Sequence, residues 1–93
     1  MEQKFIEAWF AARETARRMG VRLRPMNPED AMKNAHRALR GHRESDGFQI
    51  LADKKHLELS LEALAVDKRF GVLFSDEEAN TALMRLLHAG YYM

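Results

Sequence analysis

The residues in this 93-residue chain with the chemistry for a reaction or a metal are four histidines, three serines and a short acidic run. The histidines are His36, His42, His56 and His88. No two stand at the i,i+4 spacing that sets two imidazoles on one helical face, and there is no H-E-x-x-H. Asp53 and His56 lie three apart, which reads as a capping acid beside a surface histidine rather than a ligand pair. Ser45, Ser60 and Ser75 fall outside any G-x-S-x-G nucleophile turn, and Ser75 has another use described below. Neither glycine-rich phosphate signature is present. Asp76-Glu77-Glu78 is a run of carboxylates, and its place is the start of a helix, where acids complement the positive helix end. Cysteine is absent, which excludes disulfides and thiolate metal sites. The expectation is a protein that is not an enzyme and takes no cofactor or metal.

Basic residues form a clearer pattern. Arg13 and Arg17 are one turn apart on the first predicted helix, and Lys33, Arg37 and Arg40 share a face of the second. Clustered arginine suits phosphate. The overall charge is only +1 and the isoelectric point about 8.1, lower than is usual for nucleic-acid binders. No pair of short helices joined by a tight turn leads into a base-reading helix. Nucleic-acid binding by these five residues is therefore the alternative, not the leading reading. The charge is also uneven: residues 1–43 hold ten Lys/Arg against five Asp/Glu, and residues 44–93 hold five against nine. The two halves can meet within one chain or across two.

Helices must position these groups. Ala, Leu, Glu, Lys and Arg dominate, and two prolines and five glycines interrupt them. Phe5, Trp9, Ala12, Ala16 and Met19 recur at helical spacing over Glu2 to Met19, with Ile6 and Phe10 widening the stripe and Gly20 ending it. VRLRPM reads as extended. Asn27-Pro28-Glu29-Asp30 starts a second helix running to about Arg40, with Met32, Ala35 and Leu39 inward and Gly41 as its end. FQILA fits a strand or a helical turn. A third helix is expected from about Lys54 to Arg69, capped by Asp53. Val72-Leu73-Phe74 then crosses the core. Ser75 and Glu78 form a capping box for a last helix whose apolar face is Ala79, Ala82, Leu83, Leu86 and Leu87, stopped by Gly90.

The fold expectation is all-α: one helical domain over 1–93, a compact four-helix bundle-like domain with short extended connectors. Its alternative is α+β with a tiny two-stranded sheet. No stretch has the ~18 apolar residues of a membrane span, and no signal-peptide pattern is present, so a cytoplasmic protein is expected. Phe5, Ile6, Trp9 and Phe10 cover more than one helical face, more than one small core should take. Tyr91 and Tyr92 add two amphipathic rings at the end. Together these six residues mark the expected contact surface of a small protein–protein interaction module, a regulator, adaptor or inhibitor. Its expected partners are a second copy, as a homodimer, and an unidentified protein.

Overall fold

Phe5 sits at the centre of the molecule because the first helix turns one apolar stripe inward. In the computed structural model, which describes residues 1–92, α1 spans Glu2–Arg18. Its buried residues are Phe5, Trp9, Ala12 and Ala16, as the spacing requires, and Met19 follows half-buried. The Phe5 ring meets Phe70 and Phe74 edge-on, with centroids 5.4 and 5.2 Å away, and Trp9 at 5.7 Å. Such tilted aromatic contacts add to the stabilisation from buried area.

The fold is all-α, and among the described residues there is no strand. VRLRPM forms no regular element and joins no sheet; its Arg24 N–H donates to the Asp46 carboxylate at 2.7 Å. After a single 3-10 turn at Pro28–Asp30 comes α2, Ala31–Arg40. It buries Ala31, Ala35 and Leu39, while Met32 is half-buried. Asn27 precedes the turn in extended conformation but makes no side-chain cap bond.

The expected third helix over 54–69 is replaced by shorter pieces. FQILA is helical, within α3, Phe48–Asp53. A 3-10 turn at Leu57–Leu59 follows, and then α4, Leu61–Ala65. Asp53 ends α3 rather than capping a helix; Ser60 caps α4, accepting from the Ala63 amide at 3.1 Å. The reason for the break is geometric. On a continuous helix at ~100° per residue, Leu51 and Leu64 would lie roughly 140° apart. Breaking the chain at 54–56 turns Phe48, Leu51, Leu57, Leu61 and Leu64 all inward. Lys55 makes that turn in left-handed conformation, φ 62°, where glycine is the usual residue. At the start of α3, Gly47 has φ +80°, a backbone conformation that favours glycine, and a Cβ there would stand 2.6 Å from the Leu23 side chain, which would have to move aside.

Gly71–Leu73 is a third 3-10 turn, and α5 spans Asp76–His88. The capping box is complete: Ser75 accepts from the Glu78 amide, and Glu78 accepts from the Ser75 amide at 2.8 Å. The helix closes with Tyr91 N–H bonding the Leu86 carbonyl and Gly90 N–H the Leu87 carbonyl around a left-handed Gly90. α5 packs on α4 and α2, where Ala31, Ala35, Ala65 and Ala82 allow close approach.

The inward face of α5 differs from the expected one. Ala82 and Leu86 are buried, but Leu83 and Leu87 face solvent. Glu78 and Arg85 occupy the inward arc instead. No helix in the described chain is long and apolar enough to cross a membrane.

Candidate functional site

Two carboxylates are buried in this fold, and both are fully occupied. Glu62, on α4, has no exposed surface. Its oxygens accept from the Ser45 amide at 2.8 Å, the Ser45 hydroxyl and Arg85 Nη1 at 3.1 Å. Arg85 Nη2 reaches on to the Gly41 carbonyl at 3.0 Å. One ion pair thus ties the 41–45 loop to α4 and α5.

Glu78 is 2% exposed. Besides the capping bond, its other oxygen accepts from His36 Nδ1 at 2.7 Å and Arg40 Nε at 3.0 Å. Burial pushes this carboxyl up. The Ser75 amide, His36 and the charge of Arg40 together outweigh burial and hold it below the usual carboxylate range. These groups bind α2 to α5, as Glu62 and Arg85 bind α4 to α5. They also show where the uneven charge meets: the basic and acidic halves pair within one chain, at His36 and Arg40 with Glu78. Among the described residues, no three His, Asp or Glu side chains converge as a metal site would need.

The residues expected as a contact surface divide. Phe5 is wholly buried and Trp9 is 6% exposed, so neither reaches a partner from the folded state. Ile6 and Phe10 are half-buried and pack against the core. The apolar arc of α1 is wide because Phe5 and Trp9 fill the centre while Ile6 and Phe10 seal its edge. Tyr91 packs against a group of buried residues that includes Phe48, Leu51, Leu57 and Leu86. Burial, with the charges of Glu58 and Tyr92, pushes its phenol up. Tyr92 stacks edge-on against it at 4.9 Å and is 53% exposed. Met93 lies outside the described residues.

Leu83 and Leu87, expected on the inward face of the last helix, are instead part of an exposed apolar surface on α5. Leu83, Met84 and Leu87 are 37%, 42% and 46% exposed. Leu83 and Leu87 are one turn apart and Met84 adjoins them, so they form one patch. Leu87 stands roughly 180° around the helix from Glu78 at ~100° per residue. The signal for this rotation was present but weak: Glu78 and Arg85 lie roughly 40° and 60° from Ala82 on the side away from Leu83 and Leu87, and the buried arc is turned toward them.

The basic residues divide too. Arg13 donates to the Arg24 carbonyl, and its guanidinium lies about 6 Å from the Trp9 and Phe10 rings. Arg17 stands 3.7 Å from Glu14, which also holds Arg18 at 3.6 Å. Lys33, Arg37 and Arg40 do converge, lining a shallow concavity on α2 with His36 and Gly41. Among the described residues, Lys33 and Arg37 form no ion pair.

No family model, curated protein or solved structure matches the chain.

Proposed function

We propose that this protein is a small non-enzymatic interaction module, a regulator, adaptor or inhibitor, that associates with itself and with a partner protein through the outer face of α5. One observation supports this above the others: α5 turns Glu78 and Arg85 inward and presents Leu83, Met84 and Leu87 to solvent. Exposing leucine while burying charge lowers the stability of a lone chain, since burial is favourable for the first and costly for the second. The arrangement makes sense where another surface covers the leucines. Tyr92 extends the apolar exposure beyond the end of the helix.

The patch is small. Three partly exposed side chains and a tyrosine fall well short of the ~800 Å² per partner of a standard interface. Self-association is accordingly weak, at micromolar concentrations or above. The test is solution mass by light scattering across protein concentration. Wild type forms a dimer at high concentration; Leu83→Ser with Leu87→Ser stays single-copy and, at low protein concentration where wild type is also single-copy, melts within a few degrees of it. A wild type that remains single-copy at millimolar concentration removes self-association through this face.

A further inference from the structure

The strongest unexplained charge in the molecule lies on α2. From Ala31 to Arg43 the chain holds Lys33, Arg37, Arg40, Arg43, His36 and His42, and no Asp or Glu. Lys33, His36, Arg37 and Arg40 follow i, i+3, i+4, i+7 spacing, so they line one face and border one concavity. Like charges at these spacings destabilise a helix. A single carboxylate, Glu78, enters the stripe, and it engages only His36 Nδ1 and Arg40 Nε. The terminal nitrogens of Arg40, and all of Lys33 and Arg37, remain available. Favourable interaction with the helix dipole accounts for Arg37 and Arg40, which lie in the last turn. It does not account for Lys33.

The shape of the surrounding charge decides what fits. Glu29 and Asp30 stand exposed before the first turn of α2. At the other end, Asp76 and Glu77 share a concavity with Arg40 and His42. The cationic stripe is therefore bracketed by acids at both ends. From Lys33 to Arg40 it is roughly 10 Å long at ~1.5 Å per residue. A nucleic-acid strand continuing past that length meets carboxylates on either side, and the stripe offers few of the ~6–10 phosphate contacts typical of strong binding.

We infer that the outer face of α2 captures a short acidic segment of a partner protein, one bearing several carboxylates along a single helical face. This rests on the interaction-module reading above and adds the chemistry of the partner. Lys33 and Arg37 pair with the incoming carboxylates, and Arg40 offers its free guanidinium edge while its Nε stays on Glu78. The bracketing acids limit the length of the segment and exclude long polyanions.

The test uses the full chain and a fluorescein-labelled helical peptide with glutamate at i, i+3, i+4 and i+7. A single-stranded RNA of matched charge is the comparison. The peptide should bind at micromolar concentration in 50 mM salt and weaken about tenfold or more by 200 mM, as exposed charges are screened. Lys33→Glu with Arg37→Glu should lose binding at least about tenfold. Its melting temperature should fall by no more than a few degrees, because the new glutamates can pair with Arg40 while repelling each other at i,i+4 and giving up the favourable place of Arg37 in the last turn, and its circular dichroism should stay helical. The Leu83→Ser, Leu87→Ser variant should bind the peptide as wild type does, so failure at α5 and failure at α2 are read separately. No peptide binding at 50 mM salt, equal binding by the charge-reversed chain, or tighter binding of the RNA would each overturn the inference.

Discussion

Helices α1 and α5 hold nearly equal shares of apolar residues and place them in opposite ways. α1 puts Phe5 and Trp9 in the core and leaves Glu2, Glu7 and Glu14 in water. α5 puts Glu78 and the ion-paired Arg85 inside and leaves Leu83, Met84 and Leu87 out. The difference comes from what each helix meets. α1 faces Phe70, Phe74 and the leucines of α4, so apolar residues are the favourable choice on its inner side. α5 lies against α2 and α4, each of which presents a polar group that must be matched: His36 and Arg40 on one side, Glu62 on the other. An apolar stripe therefore gives the inward direction of a helix only where its neighbours are apolar too.

The sharpest way to break this comparison is to truncate one large residue on each helix. Phe5→Ala removes a ring from the centre of an aromatic cluster and should cost ~3–5 kcal/mol. Against the ~5–10 kcal/mol available to a small domain, that leaves the variant close to unfolding. Leu87→Ala should change monomer stability by less than ~0.5 kcal/mol, as surface substitutions do. Urea unfolding at low protein concentration measures both. Similar losses from the two would mean that the outer face of α5 is covered by its own chain.

A smaller effect tests the polar inner face of α5. Arg85→Met removes the only cationic partner of Glu62 among the described residues and leaves its carboxylate buried, at a cost of ~3 kcal/mol. It also frees the Gly41 carbonyl and loosens the 41–45 loop. Adding Glu62→Gln should recover part of the loss, because the amide oxygen still accepts from Ser45 while no charge is buried. If the double variant is less stable than the single, the ion pair is not what makes Arg85 matter.

The same contrast explains what was legible in the residues alone. α1 was readable along its length because Phe5, Trp9, Ala12 and Ala16 repeat at helical spacing and all turn inward. The capping box at Ser75 and Glu78 was readable because it is a contact between neighbours in sequence. The break at Lys54 to His56 was not, since Leu57, Leu61 and Leu64 fit a continuous helix until Phe48 and Leu51 must face the same core. The second role of Glu78 was hidden for a related reason. His36 and Arg40 lie about forty residues earlier and meet it only in the folded chain. Lys33, Arg37 and Arg40 were correctly grouped by helical spacing. That Arg13 is held by the Arg24 carbonyl and Arg17 by Glu14 depends on local pairing that spacing does not weigh.

The finest test of the comparison is acid. α1 carries no buried carboxylate, whereas α5 carries Glu78, whose carboxyl is held below its usual range despite burial. A carboxyl with a depressed folded pKa stabilises the native state above its unfolded pKa. That contribution is lost as pH falls through the folded value. Glu78→Gln should cost ~1–2 kcal/mol at neutral pH, from weakened charge-assisted hydrogen bonds to His36, Arg40 and the Ser75 amide. The gap between wild type and variant should stay open down to the ordinary glutamate value near ~4.3 and close below it. Denaturant midpoints from pH 6 to pH 2.5 follow this directly. A gap that stays the same at pH 2.5 would assign the stabilisation to the shape of the capping box and not to the charge that α5 buries.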